Sequence, residues 1–485
     1  MARKVLIRNG TLVDGTGAKG RKADVYVVGD TIAAVGQNLA TDADVILDAR
    51  DRVVAPGFID THSHADGGLL ESPDAETQIR QGITTAIVGQ DGGSRFPLAE
   101  WLGQVESKRV ALNVASFVGH GTVRGKVLGD DYKRKATADE VGRMRELVAA
   151  EMKAGAVGLS TGLEYEPGLY AGTGEIVALA QVAGAFRGIY ISHVRDEEED
   201  AIASFREVIR IAKEARLPAQ ISHIKLASSP VWGKAGEVFR LMDDARRDGL
   251  DISADVYPYT YWQSGIIVLM PPEYAMRGKG PTKNWDDKPG WEKALREIGG
   301  AKNILVTGYT PEPSWQGKTI DALAARAKKD PVTLIQEMVR ATDGGVGVVV
   351  TAMRESDLKA FIAHPRVMFC TDGGLRGSHP RGAGSYPRIL GRYVREEGVL
   401  PLEEAIRKMT ALPAVRMGFG DRGTIAPGKK ADIVIFDPRT VRDTATTRDP
   451  RAVPVGITEV LVNGTPVLQG GRLTGERPGQ VLRRD

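Results

Sequence analysis

Between about residue 84 and residue 372 the chain alternates short, largely apolar runs with longer amphipathic stretches, and this alternation constrains the fold more than any other feature. The runs 84–89, 111–118, 156–160, 189–193, 219–223, 252–256 and 367–372 lack the every-second-residue polarity of a strand with one wet face, so they read as parallel strands buried on both sides. Helical periodicity falls between them, as in 140–153 and 201–215. Strand and helix repeated over this length predict an α/β fold, a (β/α)8 barrel, with a doubly wound open sheet as the competing layout. In such a barrel the reactive side chains stand at the C-terminal ends of the strands.

The flanks have another texture. Short strands and turns occupy 5–7, 11–15, 25–30 and 32–36, and they return at 423–428, 431–437 and 460–467. Residues 1–55 and 421–485 are therefore expected to build one small β-sandwich from both termini, and 56–420 the barrel. From about 262 to 346 the rhythm breaks at Pro271-Pro272, at Gly278-Lys279-Gly280-Pro281 and at several tryptophans. This stretch reads as an insertion over one end of the barrel.

Charge excludes some functions. Lys plus Arg number 65 against 62 Asp plus Glu, a net +3 with no basic cluster, so nucleic acid is not an expected partner. No run is long and apolar enough for a bilayer, and the apolar stretch near the N-terminus is too short for a signal peptide; a cytoplasmic protein without a membrane partner is expected. The sequence specifies no oligomeric state. The single cysteine, Cys370, rules out an internal disulfide and a cysteine-based zinc site. Any metal must be held by histidine and carboxylate.

The seven histidines are informative one by one. His62 and His64 close the apolar run 53–61, and residues i and i+2 of a strand face the same way, so both imidazoles project together. His193 and His223 end two further strands. Asp372 ends another, and Asp91 lies just past the run 84–89. Four imidazoles and two carboxylates on one rim form a metal-binding set that suits one or two Zn²⁺ ions, with Mn²⁺, Fe²⁺ or Co²⁺ fitting the same donors. His120 also reads as a strand end, close enough to support the site or touch substrate, whereas His364 and His379 fall on loops and read as structural. A bound metal lowers the pKa of water from about 15.7 to about 7 and polarises a carbonyl. Asp372 is then placed to accept the water's proton and pass it to a leaving amine.

These residues carry a resemblance. Gly57-Phe58-Ile59-Asp60-Thr61-His62-Ser63-His64 resembles the first-strand signature of the amidohydrolase superfamily, and the flanking β segments look like its accessory sandwich. Gly162-Leu163-Glu164-Tyr165-Glu166-Pro167-Gly168, Ser192-His193-Val194-Arg195, Ser222-His223-Ile224-Lys225, Asp255-Val256-Tyr257-Pro258-Tyr259-Thr260 and His379-Pro380-Arg381 are similar to the N-acyl-D-amino-acid deacylases, or D-aminoacylases. The resemblance implies that His62, His64 and Asp372 hold a more exposed metal and His193 and His223 a buried one. Asp91 stands where those deacylases carry a metal-bridging cysteine, and Glu164 is the other candidate bridge. It further implies that Lys225 and Tyr257 bind the substrate's α-carboxylate together with Arg381, or with Arg376 in its place. The implied reaction is hydrolysis of an N-acyl-D-amino acid, or of a dipeptide containing a D-residue.

Two other functions compete. Cyclic-amide hydrolases of the hydantoinase or dihydroorotase kind usually bridge their metals with a carboxylated lysine, but after the fourth strand Ser160-Thr161-Gly162-Leu163-Glu164 offers none. A non-catalytic, scaffold-like homologue would have lost ligands, yet His62, His64, His193, His223 and Asp372 are all present.

Overall fold

The computed structural model describes residues 2–39, 42–270 and 285–484; the proline and glycine punctuation at 271–272 and 278–281 lies outside them. Eight parallel strands among these residues form the centre: β1 (Phe58–Asp60), β2 (Ile83–Val88), β3 (Asn113–Ser116, continued by Val118–Gly119), β4 (Gly158–Gly162), β5 (Ile189–His193), β6 (Ala219–Ile221), β7 (Ile252–Val256) and β8 (Val367–Phe369). Neighbours in sequence are neighbours in space, from β1 through β8. The ring closes between the first and last strands, where Asp372 N donates to His62 O at 2.8 Å and His64 N to Gly373 O at 3.1 Å. Closure removes the sheet edges, and the barrel rather than the open sheet is the observed layout.

Period-two alternation explains why these sequences line both faces of the ring. Ile59, Ile87, Ala115, Ile189 and Ile191 share one buried cluster, while Phe58, Ala86, Val88 and Tyr190 join the larger one packed against the outer helices. Those helices present apolar stripes to it; in the helix Ala201–Ala215 the stripe is Phe205, Val208, Ile211 and Ala212. Toward the C-terminal ends the interior turns polar. Thr61 Oγ1 donates to Asp255 Oδ2 at 2.9 Å, and Thr371 donates from its amide and hydroxyl to Asp60 at 2.8 and 2.6 Å, tying β1 to β7 and to the segment following β8.

Gly57 enters β1 where no side chain fits. A Cβ there would stand 2.2 Å from the buried Thr84 Oγ1 and 2.3 Å from its Cγ2. Gly57→Ala should therefore destabilise the protein by about 1–3 kcal/mol, the usual cost of overpacking. Denaturant unfolding measures this, and an unchanged midpoint would show that Thr84 moves aside freely.

Both ends of the chain contribute to the remaining β structure. Ile433–Phe436 pairs antiparallel with Val53–Pro56 in a seven-stranded sheet, and a four-stranded sheet built on Lys4–Arg8 packs over it through Val5, Ile7, Val25, Val54, Ile433 and Leu461. Within the expected mixture of strands and turns, 423–428 supplies turns, with Gly423 and Gly428 at φ +83° and +86°. Between β7 and β8 an antiparallel sheet of Tyr261–Gly265, Gly347–Thr351 and Ile304–Gly308 packs with three helices around its own core, which includes Trp291, Ile335 and Met338. No helix among the described residues is long and apolar enough to cross a membrane.

Candidate active site

The eight strands point one way, so the segments leaving their C-terminal ends meet at one mouth. His62 and His64 lie just beyond β1, Asp91 beyond β2, His193 at the end of β5, His223 beyond β6 and Asp372 beyond β8. Asp91, His223 and Asp372 adopt positive φ values of 53°, 31° and 46°. Non-glycine residues rarely take that conformation, and here it turns three side chains off the strand direction toward a common centre.

Asp91 occupies that centre. Its Oδ1 is 3.2 Å from His62 Nε2, 3.5 Å from His223 Nε2 and 4.0 Å from His193 Nδ1, and its Oδ2 is 3.3 Å from His64 Nε2. Asp372 Oδ1 lies 3.2 Å from His64 Nε2 and 3.6 Å from His62 Nε2. Donors held at about 2.0–2.1 Å by a tetrahedral ion stand about 3.3–3.4 Å apart, so these separations suit a shared cation. The buried His62 ring strengthens the fit, because its Nδ1 has no partner and its Nε2, though close to both carboxylates, is aligned for a hydrogen bond with neither. Buried polar atoms are seldom left so, and a metal ion would satisfy one of them.

The electrostatics agree. Burial opposes charge on Asp372 and Asp91, but Arg381 beside the first and His62 beside the second outweigh it and hold both carboxyls below the usual range. Burial likewise opposes charge on His64, yet the Asp372 and Asp91 carboxylates hold its pKa well above the ordinary value. In His193 burial prevails and pushes the pKa down to about 4, leaving a neutral imidazole. Two ionised carboxylates among imidazoles are a site in which a cation replaces protons.

Each inner imidazole is oriented from outside. His193 turns Nδ1 inward, and its Nε2 lies 2.6 Å from Glu164 Oε2. Glu164 thus sits on the far side of that ring, while Asp91 lies among all four imidazoles. His223 turns Nε2 inward, with Glu197 Oε1 3.1 Å from its Nδ1. Glu197, which sequence reasoning missed, also accepts from Lys225 Nζ at 2.6 Å and is buried. Its only sequence signal was a position four residues after His193, inside the acidic run 196–200. Carboxylates on the outer nitrogen fix a ligand's tautomer and raise its basicity. Glu197→Gln should lower metal affinity or kcat/KM by about 10–100-fold. Chelator competition and steady-state kinetics measure this; if neither moves, Glu197 does no more than pair with Lys225.

Of the expected substrate contacts, Lys225, Tyr257 and Arg381 line the same cavity as His64, Asp91 and Asp372. Arg381 Nη1 lies 2.6 Å from Asp372 Oδ2, with its guanidinium over the Tyr257 ring at 4.7 Å. The buried Tyr257 hydroxyl has no partner. Arg376 goes elsewhere: its guanidinium donates to Ser72 Oγ at 2.8 Å and lines a separate, more peripheral cavity. His120 does not end a strand but opens the helix His120–Leu128, and its Nε2 lies 2.8 Å from Glu175, outside the donor ring. His364 stacks on Phe239, and the buried His379 faces Tyr261, with its Nε2 3.0 Å from that residue's carbonyl oxygen.

The chain matches the Amidohydrolase family over residues 53–467. It is 35% identical to D-aminoacylase of Alcaligenes xylosoxydans xylosoxydans, over 99% of this chain and 97% of that one. It is 36% identical to N-acyl-D-glutamate deacylase of the same organism, over 99% and 96%. Its structure is similar to that of N-acyl-D-glutamate deacylase from Bordetella bronchiseptica complexed with zinc and a phosphonate inhibitor, a mimic of the reaction's tetrahedral intermediate, with a TM-score of 0.87, 35% identity and 99% of each chain covered. A barrel whose strand ends carry this donor set, and similarity that runs the length of the chain, make it a member of the amidohydrolase family.

Proposed function

We propose that the protein is a zinc-dependent N-acyl-D-amino-acid deacylase, hydrolysing the amide to a carboxylate and a free amino acid and accepting dipeptides that contain a D-residue. One observation carries this reading: the donor ring shares its cavity with Arg381, Tyr257 and Lys225, a carboxylate-binding group beside a metal site. In this reading His62, His64 and Asp372 hold one ion, His193 and His223 hold or await a second, and Asp91 stands between them. The ion supplies Lewis acidity, which acidifies water and polarises an amide carbonyl. The protein's own groups do the rest. Arg381 offers a bidentate donor pair to the substrate's α-carboxylate, the unpartnered Tyr257 hydroxyl adds a third donor, and Lys225 contributes charge. Asp372 Oδ1 or Oδ2 takes the proton of the attacking water and returns it to the departing amine.

The same reading takes residues 1–55 and 421–485 as the sandwich domain, 56–420 as the catalytic barrel and about 262–346 as an insertion whose Trp262, Gln263 and Val268 wall the cavity. Cytoplasmic residence belongs to it too, supported by the lone Cys370, a buried free thiol. A cyclic-amide hydrolase is less well supported, because the fourth barrel strand runs out through Ser160-Thr161-Gly162-Leu163-Glu164 and offers no lysine there to carry a bridging carboxylate. A non-catalytic scaffold fits poorly with a complete donor set. The test is a zinc-loaded protein offered N-acetyl and N-succinyl D- and L-amino acids, L-X-D-X dipeptides and hydantoins. Turnover confined to the D-configured amides supports the deacylase; turnover of hydantoins alone would replace it with the cyclic-amide reading.

A further inference from the structure

The catalytic cavity does not end at the donor ring. It adjoins a second cavity of about 250 Å³, and Glu164, Glu198 and Val268 line both. One wall of the second cavity is acidic, with Asp196 joining Glu164 and Glu198, and another is apolar, with Val268, Leu269 and Ile298. The basic residues lining it are already engaged. Arg195 pairs with Glu207 at 3.0 Å and donates to the carbonyls of Leu169 and Ala171; Lys293 pairs with Glu199 at 2.7 Å and Glu297 at 3.6 Å. The Glu198 carboxylate has no hydrogen bond or ion pair among the described residues, and its backbone amide serves Asp196 instead. A second feature points the same way: Ser228, wholly buried, lines this cavity and its hydroxyl has no partner.

A carboxylate beside an apolar wall favours a cation or a donor, and among the described residues the half-buried Glu198 carboxylate has neither. The apolar wall suits the methylene stem of a long cationic side chain, which buries its carbons and keeps its charged head among acceptors. Arg381 and Lys225 provide the opposite polarity across the donor ring, so a molecule spanning the two cavities meets a carboxylate-binding end and a cation-binding end.

We propose that the acidic extension lined by Glu164, Glu198 and Ser228 is a cation subsite that selects substrates bearing an ammonium or guanidinium group. The inference rests on the deacylase reading of the adjoining site. The cation has two sources: the side chain of a D-arginine or D-lysine residue, or the free amino terminus of a dipeptide's first residue.

The zinc-loaded enzyme should hydrolyse N-acetyl-D-arginine with kcat/KM about tenfold or more above the near-isosteric N-acetyl-D-citrulline, a ratio that a charge-assisted hydrogen bond supplies. N-acetyl-D-glutamate should be worse than either. Glycyl-D-leucine against N-acetyl-D-leucine tests the amino-terminal source. Glu198→Gln should shrink whichever ratio is large, and Glu198→Lys should invert the order of arginine and glutamate substrates. Calorimetry with free D-arginine and D-citrulline reads the subsite without turnover. Equal binding of the two, with no gain for glycyl-D-leucine over N-acetyl-D-leucine, overturns the proposal, as does a selectivity ratio that Glu198→Gln leaves unmoved. Preferential binding of D-arginine with no turnover of any N-acyl-D-amino acid would instead overturn the deacylase reading and leave the cation subsite standing.

Discussion

Asp372→Asn should lower kcat by about 10²–10⁴-fold, the range attached to a lost general acid–base group, while leaving most of the metal bound. Asparagine keeps the shape, the remaining oxygen and the tolerance for positive φ that Asp372 needs at 46°. It removes the charge and the capacity to carry a proton. The carboxylate is well placed to move that proton, being only 5% exposed, with Oδ1 facing His62 and His64 and Oδ2 facing Arg381. A KM near the wild-type value with a collapsed kcat locates the loss in the chemical step. Metal analysis on the same preparation separates proton transfer from ligation. Undiminished turnover would remove Asp372 from the proton path, and metal loss matching the activity loss would reduce it to a ligand.

Asp91 should matter almost as much, through a different observable. Its carboxylate faces the inner nitrogens of four imidazoles at 3.2 to 4.0 Å, so removing it takes away the one carboxylate that all four rings share. Asp91→Ala should lower bound metal and reduce kcat/KM by about 10²-fold or more, beyond the 10–100-fold typical of outer-sphere partners. Alanine also fits poorly at φ 53°, so Asp91→Asn serves as the backbone-neutral control, expected to weaken metal binding without unfolding. Asp91→Cys, which installs the residue expected there from the deacylases it resembles, should bind zinc and recover part of the activity. Stoichiometry and activity both surviving in Asp91→Ala would end the idea of a bridge.

Much of the fold and the site was legible in the sequence. Strand–helix alternation needs only hydrophobic periodicity, and a parallel barrel then brings its strand ends together, so His62, His64, His193, His223, Asp91 and Asp372 could be grouped although they span more than three hundred residues. What escaped depends on where loops travel. Arg376 and Arg381 are five residues apart, yet one follows a loop out to Ser72 and the other begins the helix Arg381–Arg388 over Tyr257. Glu197 sits in a run of five acids that reads as a solvated face, and only the fold turns one of them inward against Lys225 and His223. His120 follows a β-like run, but Gly119 leads straight into a helix, and the imidazole meets Glu175 from another turn of the barrel. The polar ties among Asp60, Thr371, Thr61 and Asp255 pair residues almost two hundred or more positions apart, which no local pattern encodes.

The barrel's closing seam coincides with the proposed metal site. Two backbone hydrogen bonds that join the first strand to the last run through His62, His64, Asp372 and Gly373, so the rivet that completes the cylinder consists largely of residues proposed as metal ligands. If His62, His64 and Asp372 hold an ion as proposed, its ligand bonds would join these two hydrogen bonds and the Thr371–Asp60 pair across the seam, and metal loading would raise heat resistance together with activity.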